Sequence, residues 1–291
     1  MKFRYFKPGS VGEAMFLKKE HKNSKYVAGG TDVFVLIKKK AISSSVLISL
    51  RNLDEIKGIE ENEDSVFIGA GTTLREIEKS EIVRKYFPAL YDALIDMASV
   101  QIRNVGTIGG NIVNASPGAD TASPLLVYNA KVIIITEDFK ERTLPLEEFF
   151  KGPKQVFLAE EEIVKGFELV KPNKNSGSAY KKFMKRNAMD LANAGVAMNI
   201  TFEEDDIIKD VKIGLTTVAP TPIRAEETEK FLINKKFSEE LLIQAGEIAK
   251  EECSPIDDIR GKAWHKKEIV KAYIKRVGMV CYKRYKNSMN N

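Results

Sequence analysis

Two glycine pairs in this chain have the composition of a site for a phosphate-bearing cofactor. Residues 28–32 read Ala-Gly-Gly-Thr-Asp, and residues 107–111 read Thr-Ile-Gly-Gly-Asn. A pyrophosphate needs backbone N–H groups that point inward with no Cβ in the way, and paired glycines supply such a surface. One pair alone is weak evidence. Two pairs, each accompanied by Thr and by Asn or Asp, predict a long dinucleotide held from both ends.

The first glycine segment (residues 28–32) is expected to act mainly through its backbone. A lone glycine pair usually forms only a tight turn after a strand, but the second pair favours contact with pyrophosphate. Because a carboxylate beside phosphates is repulsive, Asp32 is expected to cap the following helix or to hold N–H groups of the segment. The candidate cofactor-binding residues here are Val27, Ala28, Gly29, Gly30, Thr31, Asp32 and Val33.

The second glycine segment (residues 107–111) supports the same interpretation. Thr107 offers a hydroxyl and a backbone N–H, and Asn111 can both donate and accept hydrogen bonds. The alternative is a plain loop between a helix and a strand. The candidate cofactor-binding residues here are Gly106, Thr107, Ile108, Gly109, Gly110 and Asn111.

The two segments also resemble the FAD loops of the flavoprotein subunit of the molybdenum hydroxylases, the family of xanthine dehydrogenase and carbon monoxide dehydrogenase. The resemblance extends from residues 3–8 to residues 260–264 (Arg-Gly-Lys-Ala-Trp), which are similar to a late motif of that family. The late motif alone would not be specific. The resemblance implies FAD as the cofactor, with the second segment close to the flavin ring and to its ribityl and phosphate chain.

Three further candidate contacts depend on this resemblance. Asp120 could accept charge-assisted hydrogen bonds from a sugar or ribityl hydroxyl. Capping preferences alone favour it as the N-cap of a helix that starts at Thr121, and both roles can hold. Lys181 lies where the family places a lysine near the flavin, and Ile163 is a candidate backbone contact.

A cation at Lys181 would stabilise reduced, anionic flavin. Side chains alternate along a strand, so only one of Lys181 and Lys182 can reach the ring. A solvated strand lysine is an equal alternative. Met97 stands where animal xanthine dehydrogenases have an aromatic residue stacked on the isoalloxazine, although its spacing favours the core face of a helix.

Composition excludes several other chemistries. The two cysteines, Cys253 and Cys281, lie outside any Cys-x-x-Cys spacing, and an iron–sulfur cluster usually needs four thiolates. With only His21 and His265, neither a zinc site nor a Ser-His-Asp triad is supported. We therefore predict no metal site and no catalytic side chain, so that redox chemistry must come from an organic cofactor. The net charge of +5 is spread over interleaved charges, and no nucleic-acid-binding motif occurs.

Length and hydropathy indicate the class of protein and its location. A chain of 291 residues predicts two or three domains, and 43% apolar with 30% charged residues is typical of a soluble globular protein. No apolar run approaches the roughly 18–20 residues of a membrane span, and no secretory signal is recognisable. A cytoplasmic location is therefore expected.

The elements that would position these residues form an α+β protein. Strand 25–28, the first glycine segment and helix 33–40 belong to a first lobe, residues 1–55. A second lobe, residues 56–172, contains strands at 66–71, 131–136 and 160–169, a capping box at 73–76 and a helix from Pro88.

A polar, turn-prone stretch at 171–178 marks a domain boundary. Strands at 179–185, 194–202 and 207–218 follow, with a hairpin turn at 203–206, and then helices at 225–232, 239–252 and 262–285. By resemblance, residues 1–172 are a two-lobed FAD-binding domain of the PCMH (vanillyl-alcohol-oxidase-like) type. Residues 177–291 would then be a small α+β domain of the CO dehydrogenase flavoprotein type.

The resemblance implies an electron-transfer subunit of a multi-subunit molybdenum hydroxylase. Its partners would be a [2Fe–2S] small subunit and a molybdopterin-binding large subunit, and its electron acceptor could be NAD+. Two alternatives remain open from the sequence. One is a self-contained FAD-dependent oxidoreductase acting directly on a small molecule, and the other is a flavin-binding module without turnover.

Overall fold

Four sheets organise the part of the chain that the computed structural model describes, residues 3–186 and 189–289. The strands are β1 (Arg4–Phe6), β2 (Ser24–Val27), β3 (Val46–Ser49), β4 (Ile59–Glu61), β5 (Ser65–Gly69), β6 (Lys131–Ile135), β7 (Glu141–Pro145), β8 (Phe150–Gly152), β9 (Gln155–Val156), β10 (Ile163–Val170), β11 (Ser176–Phe183), β12 (Ala194–Phe202), β13 (Ile208–Thr216) and β14 (Ile223–Arg224). The helices are α1 (Val11–Glu20), α2 (Val33–Lys38), α3 (Leu74–Lys79), α4 (Glu81–Tyr86), α5 (Pro88–Ile95), α6 (Val100–Arg103), α7 (Ile108–Val113), α8 (Ala122–Val127), α9 (Leu146–Phe149), α10 (Glu226–Leu232), α11 (Glu239–Glu251) and α12 (Ala263–Met289). Short 3-10 turns occur at Asp54–Ile56 and Glu204–Asp206.

The first sheet is parallel and has the strand order β1-β3-β2. Parallel neighbours need a crossover connection, and helices α1 and α2 lie in the two connections. Met15 of α1 packs with Val46 and Ile48 of β3 in one apolar cluster. The predicted strand and helix on either side of the first glycine segment are confirmed as β2 and α2.

The second sheet is antiparallel, with the order β4-β5-β10-β6-β7. Its apolar face packs with residues of α3, α5, α7 and α8 in the largest apolar cluster of the described residues. The predicted capping box is confirmed, since Thr73 and Glu76 exchange hydrogen bonds at the start of α3. Pro88 occupies the first turn of α5, as predicted.

The third large sheet is antiparallel and runs β11-β12-β13-β14. Side chains of β12 alternate between two cores: Val196 and Met198 pack with α11 and α12, whereas Ala197 packs with the cluster of the second sheet. The predicted hairpin at 203–206 is confirmed by the pairing of β12 with β13. The expected α+β class is therefore confirmed.

Buried and half-buried polar contacts join the sheet of β11–β14 to the preceding part of the chain. Arg284 of α12 forms two bonds of 2.7 and 2.8 Å with the carboxylate of Asp92 on α5. Tyr128 and Ser178 share a hydroxyl–hydroxyl bond of 2.6 Å. Strand β11 begins at Ser176, inside the predicted boundary stretch. The expected outer domain limits, residues 1 and 291, lie outside the described residues.

Candidate FAD site

A cavity of about 660 Å³ lies between the first and second sheets, and residues 189–191 form part of its lining. Its size falls within the range of cofactor and ligand pockets. The predicted site residues that line it are Ala28, Gly29, Gly30, Thr31, Asp32, Val33, Gly106, Thr107, Gly109, Gly110, Asn111, Asp120 and Ile163. Val27 and Ile108 are buried behind this lining, and Lys181 lies outside it. The fold therefore brings together both glycine segments, which are about eighty residues apart in sequence.

The first glycine segment lies against Val105 and Gly106, which immediately precede the second. A Cβ at Gly29 would lie 2.0 Å from the carbonyl oxygen of Val105 and 2.8 Å from the Cα of Gly106. Gly30 has a φ of +75°, in the left-handed region that favours glycine. The first segment therefore needs one glycine for contact with its neighbour and the other for its backbone conformation.

Several backbone N–H groups of the first glycine segment are available to a ligand. Within residues 3–186 and 189–289, the N–H groups of Gly29, Gly30 and Thr31 donate to no protein acceptor. Since amides at a cavity wall need partners, these groups are suited to an anionic ligand. Asp32 occupies the N-cap position of α2, but its side chain accepts no capping bond, so the expectation that it caps this helix is wrong.

The second segment uses its glycines differently. Thr107 caps α7 by accepting from the N–H of Gly110 at 3.0 Å, so the segment starts a helix and is not a plain loop. The N–H of Gly109 donates to the carbonyl of Ala70 at 2.9 Å, and a Cβ at Gly109 would lie 2.6 Å from that of Ala70. Unlike the N–H groups of Gly29, Gly30 and Thr31, those of Ile108, Gly109 and Gly110 therefore donate within the protein. In the second segment, Gly109 permits close packing.

Asn111 is anchored from the neighbouring turn. Its side-chain oxygen accepts from the hydroxyl of Thr121 at 2.7 Å. This bond orients the Asn111 amide at the cavity wall and links α7 to the turn that carries Asp120.

Asp120 is buried and is not a helix cap. Its carboxylate accepts from the hydroxyl of Tyr180 at 2.9 Å and from Nζ of Lys182 at 2.8 Å. Burial raises the pKa of the Asp120 carboxyl, and the neighbouring ammonium and hydroxyl act against that rise. Burial, together with Asp120, raises the pKa of Tyr180 well above its ordinary value. Asp120 therefore presents a carboxylate with two protein donors, Tyr180 and Lys182, at the cavity edge.

The alternation of β11 places Lys182, and not Lys181, beside Asp120. Lys181 is exposed on the outer face of the strand, whereas Lys182 is buried against Asp120. The sequence indicated that the two lysines face opposite sides of the strand, and Lys181, the candidate contact, lies on the face away from Asp120. The register of β11 with β12 fixes the face, and a one-residue shift reverses it.

Other lining residues were missed or misplaced. Helix α5 ends at Ile95, so Met97 lies beyond it and lines the cavity, contrary to its expected place on the helix core face. Glu162 also lines the cavity, where Arg142 binds it at 2.9 and 2.7 Å. The Arg142 bonds hold the pKa of Glu162 below its usual range, despite burial. The sequence pointed to Met97 through its departure from the family pattern. It gave no signal for Glu162.

Among residues 3–186 and 189–289, no group of three or more His, Cys, Asp or Glu side chains is arranged to hold a metal ion. In the same part of the chain, none of the helices combines the length and the apolar character required to cross a bilayer.

Similarity to known proteins identifies the class of protein that this fold and cavity define. Residues 1–171 match the family described as the FAD binding domain in molybdopterin dehydrogenase. Residues 178–279 match the CO dehydrogenase flavoprotein C-terminal domain. The chain therefore belongs to the FAD-binding subunits of the xanthine and carbon monoxide dehydrogenase type, and FAD is its cofactor.

Individual relatives agree with this family. The putative xanthine dehydrogenase FAD-binding subunit of Escherichia coli K12 is 30% identical to this chain. The match covers 94% of each of the two chains. The glyceraldehyde dehydrogenase medium chain of Sulfolobus acidocaldarius is 31% identical over 92% of this chain and 94% of its own. In a solved structure of carbon monoxide dehydrogenase from Hydrogenophaga pseudoflava, one chain superposes with a TM-score of 0.93 at 32% identity, covering 98% of each chain.

Proposed function

We propose that this chain carries electrons within a molybdenum hydroxylase complex. A molybdopterin-binding large subunit would oxidise the substrate, a [2Fe–2S] small subunit would pass the electrons to FAD on this chain, and an acceptor such as NAD+ would receive them. The observation that carries the proposal is the cavity in which two glycine segments and a buried carboxylate meet. The relatives named as medium chains and FAD-binding subunits support it.

The cavity fits FAD at three places. We assign the pyrophosphate to the first glycine segment, because the N–H groups of Gly29, Gly30 and Thr31 have no acceptor among the described residues and a Cβ at Gly29 has no room. We assign a sugar or ribityl hydroxyl to Asp120, whose carboxylate is a strong acceptor. We assign the flavin ring to the apolar wall that includes Met97, whose thioether suits an aromatic face.

The remaining predicted contacts are assigned to supporting roles. Val27 and Ile108 fix the two glycine segments from below, and Ile163 contributes cavity wall beside Glu162. Lys182 replaces Lys181 as the cation of the site, because it is the lysine that faces Asp120. These roles follow from burial and contact in the described residues.

When bound, FAD supplies the group that accepts and releases electrons. The protein's own part is to hold and orient it. The N–H groups of Gly29, Gly30 and Thr31 would counter phosphate charge, Asp120 would fix a hydroxyl, and the apolar wall would exclude water from one face of the cavity. No side chain is required as an acid, base or nucleophile.

We also propose that the chain forms two domains with different roles at the site. Residues 1–172 would form the FAD domain and residues 177–291 the second domain, which contributes residues 189–191 to the cavity lining and holds Asp120 through Tyr180 and Lys182. We further propose a cytoplasmic complex, in keeping with the two buried, free thiols of Cys253 and Cys281.

Purification of the tagged chain from its native cell, followed by a visible spectrum and metal analysis, tests the proposal. FAD together with iron and molybdenum in near-stoichiometric ratio is the expected result. FAD alone, with no partner and with direct reduction by a small molecule, would instead identify a self-contained oxidoreductase. FAD that dithionite reduces but no partner can reduce would identify a binding module.

A further inference from the structure

A buried ion pair lies behind one wall of the cavity. Nε of Arg103 binds Oε2 of Glu78 at 2.8 Å, and the two residues are only 6% and 7% exposed. Arg75 makes a second, more exposed contact with the same carboxylate. Burial works against ionisation of Glu78, but the hydrogen bonds from Arg103 and Arg75 prevail and hold its pKa below the usual range. The pair is therefore charged on both sides.

The guanidinium of Arg103 also binds two backbone carbonyl groups. Its Nη1 donates to the carbonyl oxygen of Met97 at 2.5 Å and to that of Ala98 at 3.3 Å. One side chain thus joins the carboxylate of Glu78 on α3 to the turn between α5 and α6. The planar fork of arginine can serve both partners at once, which a lysine ammonium cannot do with the same geometry.

The turn that Arg103 holds has an unfavourable backbone conformation. Ala98 has a φ of +47°, which a residue with a Cβ rarely adopts. Such conformations persist where the surroundings impose them, and they are concentrated at functional sites. Here the surroundings are the two carbonyl bonds to Arg103, because they fix the peptide on both sides of the turn.

The result of this arrangement is a cavity wall. Met97 and Ala98 line the cavity together with Ile102 of α6. Since the Arg103 charge is neutralised behind the wall by Glu78, the wall presents apolar atoms to the cavity, and these suit a planar aromatic ring better than a phosphate.

We propose that Arg103, oriented by Glu78, is a positioning residue that presents the Met97–Ala98 wall to the isoalloxazine ring. It acts through the wall and touches no reacting atom. The inference rests on the proposed function, since it requires that FAD occupy the cavity. It assigns the ring end of FAD to this wall and makes the ion pair a determinant of flavin affinity, spectrum and midpoint potential.

The test uses Arg103→Lys with a matched control, Arg224→Lys. Arg224 is also a poorly exposed arginine, and its Nε binds Oε1 of Glu229 at 2.6 Å, but the pair lies away from the cavity lining. Each protein is freed of flavin and titrated with FAD, and its melting temperature, bound-flavin spectrum and midpoint potential are measured. We expect both variants to have a lower melting temperature than the wild type. Only Arg103→Lys should bind FAD about tenfold more weakly, because the wall that faces the ring is no longer held in place, and only it should shift the spectrum and potential.

A second variant separates positioning from general destabilisation. Met97→Ala removes the side chain through which Arg103 is proposed to act, so Arg103→Lys should change the spectrum much less in that background than in the wild type. Equal spectra and affinities for Arg103→Lys and Arg224→Lys would overturn the inference while leaving the proposed function intact. Weaker binding with an unchanged spectrum would also overturn it, because the wall would then not face the ring. Failure of the wild-type chain to bind FAD would instead contradict the proposed function.

Discussion

Nζ of Lys182 donates a hydrogen bond of 2.8 Å to the carboxylate of Asp120, across the junction between β11 and the turn that precedes α8. Both side chains are almost fully buried. A buried charge that loses its partner is costly, whereas an exposed lysine is nearly neutral to replace. The pair therefore ties the cavity to the sheet of β11–β14, and its neighbour Lys181 provides a built-in control.

Replacement of Lys182 by Met should destabilise the protein by about 3 kcal/mol, because Asp120 stays buried with only Tyr180 as donor. The pKa of Asp120 should rise further, and affinity for FAD should fall. Lys181→Met should change stability by no more than about 0.5 kcal/mol. Urea unfolding and FAD titration of the two variants check this, and equal effects would show that the strand face has been assigned incorrectly.

Gly29→Ala should push the first glycine segment away from Val105 and Gly106, which precede the second. The new methyl group would lie 2.0 Å from the carbonyl oxygen of Val105, so backbone must shift. We expect a loss of about 1–3 kcal/mol in stability and a large loss of FAD affinity. Gly152→Ala is the matched control, because the nearest atom to its Cβ would be 3.8 Å away. Calorimetric FAD titration distinguishes them, and a Gly29→Ala protein that binds FAD normally would contradict the assigned pyrophosphate site.

Asp258, which lies two residues before the late segment 260–264, allows a prediction on how stability depends on pH. Although burial opposes it, hydrogen bonds from Arg260 and Lys266 lower the pKa of Asp258 from 3.8 to about 2. A carboxyl whose pKa is depressed in the folded state stabilises the fold above its unfolded pKa and loses this contribution as pH falls through the folded value. Asp258→Asn should therefore cost about 2 kcal/mol at pH 6.

The same variant should cost roughly half as much at pH 3, which lies between the two pKa values. Urea unfolding of the wild type and of Asp258→Asn at both pH values provides the measurement. A cost that is equal at pH 6 and pH 3 would show that the carboxyl has an ordinary pKa in the folded protein.

Both thiols should be inert in the native protein. Burial raises the pKa of Cys253 to about 12 and that of Cys281 further, and the thiolate is the reactive form. Titration with a thiol reagent should give no rapid reaction before unfolding and two equivalents after it. Rapid native labelling of Cys281 would show that α12 does not pack on β12 as described.

Sequence patterns predicted the elements around the site more fully than the roles of individual residues. The capping box at Thr73 and the hairpin at 203–206 depend on local chemistry, and both are confirmed. The face of Lys182 depends on the register of β11, which local alternation leaves undetermined.

Tertiary contacts decided the remaining differences. Gly109 belongs to a helix because Thr107 caps it and Ala70 packs against it, neither of which the glycine pair reveals. Met97 left the helical pattern because Arg103, six residues later, binds its carbonyl group and holds the turn. Arg103 itself carried no sequence signal, since its partner Glu78 lies twenty-five residues away.

The most direct test of the central claim is electron transfer into this chain. The FAD-loaded protein is mixed rapidly and without oxygen with the pre-reduced [2Fe–2S] small subunit isolated from its own complex, and the flavin absorbance is followed. We expect this partner to reduce the flavin, and an added acceptor to reoxidise it. A flavin that stays oxidised with the partner, yet is reduced directly by a small organic substrate, would contradict this expectation.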